Sequence, residues 1–562
     1  MPVYVTATAF AVCLAAFLWE EAYGILFLLI GYLLANREFA YLHISIGTVP
    51  VYITEFALLL WTLRIFGRQL TNPGSYRTAL PTPVRWTWGL FLGVGCVSFY
   101  WGVLHFPILN VLRDSALVYY SVAILLVSRT PLTRRRLDGI LKIGAIAALL
   151  NALRICLPVA VPHLQLTSSL MQGAGSSLGL SLALLSLLAI RQMTVTNLKD
   201  TLWSIIIFSA ILSELVRSAW TGFACGFCFL ALMLMRLNSF TPIALHSLRT
   251  ITVIAGGSML LLWSLPKLGQ RPSIPSAATP LASTPPASTL PASTPPAFVP
   301  PASTPPASVP PAFTPPATVP RQVLIVQKAE HRVVDVFDEL STFTDIGNSP
   351  NVITRFLMWQ DAIEEVFSIG LFSNHLHRKD LTHYKLPAHL KRSKGPEVLI
   401  EPAGDGLSDK KIVLHLVPSN ETPDVSFKHQ LHRTARILLG IPFGKLYLPP
   451  QVVWWLNSPR RYDPHNSWIA ILYRLGIIGL LAFILLQGWV LRGITQRLFS
   501  SRQDPWIFSR LLLVGAGIVY VLVHMITDNT LENAFKGIFL WILIGLAFNP
   551  VLRETPPETD PK

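Results

Sequence analysis

The 562-residue chain carries 45 Lys and Arg against 30 Asp and Glu, a net charge of +15, while 52% of its residues are hydrophobic and only 13% are charged. That charged fraction is about half that of an ordinary soluble domain, and the apolar residues come in uninterrupted runs of helical length. A cytosolic globular enzyme is excluded, and an all-α polytopic membrane protein is expected.

The runs lie at 6–18, 22–36, 47–63, 86–105, 114–128, 138–157, 168–190, 201–216, 218–235, 250–265, 467–490, 508–526 and 534–549. Each is long enough, or nearly so, to span a bilayer. Glu20 and Glu21 separate the first two, where a lipid-facing charge would be costly, so these form either a hairpin or one long helix. The expected total is 12 or 13 transmembrane helices. No Lys or Arg precedes the first run and no small-residue cleavage site follows it, so it reads as a retained helix and not as a signal peptide. The five cysteines, Cys13, Cys96, Cys156, Cys225 and Cys228, all fall in or beside apolar runs, and no extracytoplasmic disulfide framework is expected. Cys225 and Cys228 have CxxC spacing but no second ligand pair, and read as packing residues.

Orientation follows from the basic residues of alternate connections. One set holds Arg64, Arg68, Arg77, Arg85, Arg129, Arg134, Arg135, Arg136, Arg191, Lys199, Arg236, Arg249, Arg492, Arg497, Arg502 and Arg510; the other holds Arg37, Arg113 and Arg217. Sixteen against three puts the first set in the cytoplasm. Topology thereby accounts for the basic excess, and no nucleic-acid partner is expected. The chain divides into N-terminal transmembrane helices (1–265), a Pro-rich spacer (266–320), an outer loop domain (321–465), C-terminal transmembrane helices (466–549) and a cytoplasmic tail (550–562).

Within the spacer, residues 279–318 repeat a five-residue unit, TPLAS TPPAS TLPAS TPPAF VPPAS TPPAS VPPAF TPPAT. Proline has no N–H to build a ladder. The tract is expected to be a polyproline-II spacer extending up to about 120 Å, at ~3.1 Å per residue. It reads first as a tolerated surface insertion, and alternatively as a stalk or a glycosylated Ser/Thr track. The following domain shows a strand over RQVLIVQ, an amphipathic helix over ITRFLMWQDAIEEVF and a basic stretch near Lys385 to Lys394. It reads as a partly helical cap over the membrane domain.

The informative charges are the few at the outer face. Arg217 stands at a helix end in SELVRSAWTG, Arg355 in NVITRFLMWQDA, and His465 opens HNSWIAILYRLGIIGLLAF. Singly, each has a plain alternative: a snorkelling arginine or a hydrogen-bonded structural histidine. Together, two guanidinium forks and an imidazole on one membrane face suit a diphosphate lipid headgroup. Asp528, Asn529 and Glu532 make a short polar outer loop that reads as solvated, with assistance to an acceptor as the alternative.

His465-Asn466, nine residues, then Gly476-Ile477-Ile478-Gly479 reproduces the spacing His-Asn, x-nine, Gly-x-x-Gly, and the chain here resembles the bacterial O-antigen ligase family of the O-antigen ligase and polymerase superfamily. Arg217 before Ser218 and Ala219, Arg355 four residues before Trp359, and a Gly-Ile-Pro-Phe-Gly stretch (440–444) strengthen the likeness. The repeat and residues 371–437 look like insertions relative to that family and leave the acceptor open.

The resemblance implies a GT-C-like glycosyltransferase of the bacterial inner membrane, with a large mixed periplasmic loop spanning 266–465. It would move a glycan from undecaprenyl diphosphate to lipid A core or a similar acceptor, with inversion and without nucleotide, metal or other cofactor. No DxD-type carboxylate pair or His/Cys cluster with ligand spacing stands in the outer loop. Charge developing on the leaving diphosphate would then be met by Arg217 and Arg355. His465 would serve as general base or diphosphate ligand, oriented by Asn466, with Trp359 beside the substrate. Gly476 and Gly479 are expected to permit close helix packing. Polymerization of a polysaccharide and transfer to protein hydroxyls are the neighbouring alternatives. A transporter is the remote one, since no inverted repeat is evident.

Overall fold

In the computed structural model the apolar runs become helices almost run for run. The structure describes residues 3–46, 49–71, 80–160, 176–191, 197–213, 217–237, 249–250, 252–261, 359, 362–363, 366–367, 397–400, 412–415, 434–444, 466–528, 530–531 and 533–553. The Pro-rich repeat, the strand expected over 321–327 and the basic stretch near Lys385 lie outside the described residues.

Helices α1 (Val3–Trp19) and α2 (Glu21–Ala40) pack as a hairpin, so the first apolar region is two helices. An antiparallel ribbon of β1 (His43–Ile46) and β2 (Val49–Tyr52) leads into α3 (Ile53–Thr71). The helix expected from residue 47 thus begins six residues late. Val49 to Tyr52 pair with β1 instead, since Pro50 and the β-branched residues beside it suit a strand better than a helix interior. Next come α4 (Thr82–His105) and a bent pass made of α5 (Ile108–Tyr119), a 3₁₀ turn (Tyr120–Val122) and α6 (Ala123–Arg129). Then follow α7 (Arg134–Ala160), α8 (Ser176–Ile190), α9 (Leu198–Ser213), α10 (Arg217–Leu237) and α11 (Thr252–Leu261). In the intervening domain β3 (Glu397–Ile400) pairs antiparallel with β4 (Ile412–His415). The chain closes with α12 (Ser467–Ser500), α13 (Pro505–Thr527) and α14 (Ala534–Ala547).

Among the described residues, six of these passes are long and apolar enough to cross a membrane, and five shorter helices are apolar as well. The fold is that of an all-helical polytopic membrane protein. Its outward faces agree: α4 exposes Trp86, Leu90, Tyr100, Trp101 and Leu104, a stripe that belongs in hydrocarbon and not in water. The inward faces form a close-packed core in which Phe91, Phe483 and Trp541 meet with ring centroids 5.8–6.0 Å apart. The main helix pairings are α10 with α13, α4 with α12, α6 with α14 and α7 with α9.

One end of the bundle collects the arginines, and there they are structural ties as well as topological signals. The α1–α2 turn brings Glu21 to Arg64 and Arg68, and Glu20 to Arg136. Glu20 and Glu21 are therefore paired, not lipid-facing. Arg510 reaches Asp138 at 2.7 Å, Arg191 reaches Asp200 at 2.7 Å, and Arg497 donates to the carbonyls of Ala547 and Leu552 past the end of α14. Asp504 caps α13 by accepting from the amides of Trp506 and Ile507 and pairs with Arg134 at 2.6 Å. Burial pushes its carboxyl up, but those amides and the guanidinium outweigh burial and hold it below the usual carboxylate range.

Candidate functional site

At the opposite end the long helix α12 is broken. Gly476 takes φ +63°, and the helix resumes in a new direction beyond it. Such a break orphans backbone carbonyls, and at lipid depth each needs a new partner. The carbonyl of Tyr473 accepts from the Ile441 amide at 2.7 Å, and that of Arg474 accepts from Ser98 Oγ on α4 at 3.1 Å. The Gly-Ile-Pro-Phe-Gly stretch is thus what fills the kink. Its first glycine, Gly440 (φ +79°), lies so near that a Cβ there would sit 2.5 Å from the Gly476 nitrogen. A Cβ on Gly476 would reciprocally lie 2.4 Å from the Leu438 carbonyl oxygen. Gly102 of α4 leaves room for the Phe443 carbonyl, and Phe443 itself is fully buried. The expectation that Gly476 permits helix packing is corrected: it permits a helix break into which another segment docks. Gly479, one turn on, is buried on the resumed helix, where a Cβ would collide with the Leu475 side chain.

A buried ion pair locks the same junction. Arg474 on α12 meets Asp114 on α5 at 2.8 Å, both almost without exposure. Asp114 also accepts from the Gly444 amide at 2.8 Å, and Arg474 donates to the Pro442 carbonyl at 3.2 Å. The middle and the far end of the docked stretch are therefore held by one charge pair. Neither residue was singled out from the sequence. The available signal was a pair of opposite charges set inside apolar runs, which is costly unless they meet.

Beside the start of α12 lies a second polar cluster. Ser467 donates to the Asp528 carbonyl (3.1 Å) and accepts from the amides of Thr530 (2.8 Å) and Leu531 (3.2 Å). His524, fully buried in the last turn of α13, lies 3.0 Å from Thr530 Oγ1 through Nδ1 and 3.2 Å from Ser218 Oγ through Nε2. Asp528 pairs with Lys536 and stands 3.6 Å from His524 Nε2. The loop expected to be solvated is, at Asp528, a largely buried ion pair packed on the first turn of α12; Asn529 and Glu532 lie outside the described residues. His524 and Lys536 were missed because each is a lone polar residue in an apolar helix, and only the packing of α10, α12, α13 and α14 brings them together.

The loop helix docks at the same place. Trp359, Ala362, Ile363, Val366 and Phe367 are helical, at the spacing of one helix face. Ala362 and Val366 bury themselves against Ile441 and Tyr473, with Ile469 and Leu472 alongside. The amphipathic helix expected here is thus seated on the first two turns of α12, and half-buried Trp359 is one turn nearer its start.

The candidate residues follow from this frame. Arg217 begins α10, directly before Ser218 and its contact with His524. Arg355 lies outside the described residues, four positions before Trp359; His465 lies outside them too, directly before Asn466. Asn466 is buried and its Oδ1 caps α12, accepting from the amides of Trp468 (2.9 Å) and Ile469 (3.1 Å). Its oxygen is therefore engaged by the helix. Asn466→Ala is expected to destabilize the protein by about 0.5–2 kcal/mol, while Asn466→Asp or Asn466→Ser retains the cap. Chemical unfolding of the three variants checks this, and equal losses in all three would assign Asn466 another role. Cys225 and Cys228 on α10 are free thiols, and among the described residues no three His, Cys, Asp or Glu side chains converge as metal ligands do.

Fold and site together define a polytopic helical membrane protein with a buried polar centre at the end opposite its arginine belt, beside a broken helix. No protein-family model matches this chain, and no curated protein matches it.

Proposed function

We propose that this chain is an O-antigen-ligase-like, GT-C-type glycosyltransferase of the bacterial inner membrane. It moves a glycan from undecaprenyl diphosphate to an acceptor on the periplasmic face, where the loop of 266–465 lies. The observation that carries this reading is convergence. The loop helix that follows Arg355 packs on the first two turns of α12, which follow His465 and run into the kink made by Gly440 and Gly476. Ser218, next to Arg217 at the start of α10, reaches His524 in the polar cluster that also holds Ser467 of the α12 start.

In the proposed reaction an acceptor hydroxyl attacks the anomeric carbon as the bond from that carbon to the diphosphate oxygen breaks. The hydroxyl proton passes to His465, and undecaprenyl diphosphate leaves with its electron pair and charge held by Arg217 and Arg355. Guanidinium groups held in place suit that role, because little reorganization is needed as the charge develops. Asp528 already neutralizes Lys536, so that ammonium is not proposed as a diphosphate ligand.

The test is transfer from a synthetic undecaprenyl-diphosphate oligosaccharide by the purified protein in nanodiscs with EDTA, comparing wild type with His465→Ala. Acceptor-dependent product that persists in EDTA and falls by at least ~10²-fold in the variant is expected. Equal turnover by both proteins would overturn the role of His465, and no turnover with lipid A core, glycan or protein acceptors would overturn the transferase reading. The acceptor that works separates ligase from polymerase and from protein glycosylation.

A further inference from the structure

The first turn of a helix is its least secured part, because its amides have no partner within the helix, and a residue there is held by what its neighbours touch. In α10 that turn carries Arg217. Two ties fix it. Trp220 Nε1 donates to the Ile211 carbonyl of α9 at 3.3 Å, and Ser218 Oγ lies 3.2 Å from His524 Nε2 on α13. Two glycines let α10 and α13 come this close. A Cβ on Gly222 would lie 2.9 Å from the Tyr520 carbonyl oxygen, and one on Gly226 would lie 2.8 Å from that of Ala516. The pairs 226 with 516, 222 with 520 and 218 with 524 step along two antiparallel helices one turn at a time, so the backbone approach delivers Ser218 to His524.

The path of hydrogen bonds continues beyond His524. Its Nδ1 lies 3.0 Å from Thr530 Oγ1, and the Thr530 amide donates to Ser467 Oγ at 2.8 Å. Ser467 is the first residue of α12 and stands two positions after His465. One path thus joins the residue after Arg217 to the residue two after His465, through a side chain that belongs to neither segment. An imidazole is costly to bury unless its nitrogens are bonded, and a path whose members are all satisfied rigidifies what it joins. His524 is fully buried with both nitrogens facing hydroxyls, so it is not itself placed to take a proton from an acceptor.

We infer that His524 is a positioning residue. Through Ser218 it sets Arg217, at the start of α10, relative to the α12 start that follows His465. This rests on the proposed diphosphate role of Arg217 and adds the residue through which that role is fixed in space.

The test is the affinity of the full chain, in phosphatidylcholine nanodiscs, for undecaprenyl diphosphate. Arg217→Ala is expected to raise the dissociation constant by at least ~10-fold, as loss of a charge-assisted contact does. His524→Asn should raise it by about 3–10-fold, because Asn carries its amide only to the Nδ1 position and leaves Ser218 without a partner. His524→Gln, whose amide extends to the Nε2 position, should stay nearer to wild type. In the Arg217→Ala background His524→Asn should change the constant by less than about 2-fold, since residues that act through one another are not additive. A loss of folded protein does not imitate this result, because the dissociation constant is a property of the folded molecules. An Arg217→Ala protein that binds like wild type would overturn the diphosphate role of Arg217, and this inference with it. If Arg217→Ala weakens binding but His524→Asn does not, or if the His524→Asn effect persists in full without Arg217, the positioning role alone is overturned. Equal affinities of the Asn and Gln variants would overturn the path through Ser218. Should the His524 variants fail to fold, Ser218→Ala, alone and combined with Arg217→Ala, makes the same comparison with the loss of one oxygen.

Discussion

Gly476→Ala is expected to be among the most damaging single-methyl changes in the protein. At φ +63° an L-residue costs about 1–2 kcal/mol for conformation alone. The added Cβ would also lie 2.4 Å from the Leu438 carbonyl oxygen and 2.5 Å from the Gly440 nitrogen, both backbone atoms held in the junction. No rotamer relieves that overlap, so the docked stretch must lift from the kink. Loss of the Ile441 bond to Tyr473 and of the seat for the loop helix should follow. Gly488 supplies the control on the same helix: a Cβ there meets nothing, and Gly488→Ala should be neutral or stabilizing by about 0.5–1 kcal/mol. Thermal unfolding and glycan transfer, measured for both variants, check the pair. A Gly476→Ala protein with wild-type stability and turnover would contradict the junction as described.

The second large effect concerns Asp114 and Arg474. Asp114→Ala leaves a guanidinium buried without its counter-charge, which typically costs about 3–5 kcal/mol. Replacing both partners by apolar residues, Asp114→Leu with Arg474→Met, removes the uncompensated charge and should recover much of that loss. Recovery will be incomplete, because the Gly444 amide then lacks its acceptor, at a cost of about 1–3 kcal/mol. A double-mutant cycle in chemical unfolding measures the coupling. Strictly additive losses would mean that the two side chains do not act as a pair.

Much of the architecture was legible in the chain because a bilayer imposes a coarse and strong requirement. Backbone polar groups must be satisfied within each segment, so runs of apolar residues become helices with few alternatives. The expected runs at 86–105, 201–216 and 508–526 differ from α4, α9 and α13 by at most four residues at either end. The exceptions are local. The ribbon over 43–52 replaced the start of a helix because Pro50 and its β-branched neighbours favour extended backbone. The pass through 108–129 is bent at Tyr120–Val122, which apolar composition alone does not encode.

The candidate centre was legible only in outline. The motif spacing from His465 to Gly479 marks α12, and the Gly-Ile-Pro-Phe-Gly stretch stands beside it in the reading of the sequence, but that the two are mated surfaces is a tertiary fact. A glycine required by a positive φ and a close backbone approach looks, in sequence, like any glycine in a membrane helix. Asp114 and Arg474 lie 360 positions apart, and Ser218 and His524 lie 306 apart. No local pattern connects such pairs.

The sequence by itself determined that this is a many-pass helical membrane protein, roughly where each helix lies, and which connections are rich in arginine. Hydrophobic length and charge asymmetry are local quantities read directly against the bilayer. Only the tertiary structure decided that α12 breaks at Gly476, that the break is filled by residues 440–444, and that Arg474, His524 and Lys536 are buried where they have partners. Those outcomes depend on which buried polar groups can satisfy one another once the helices pack, and that is a property of the assembled bundle.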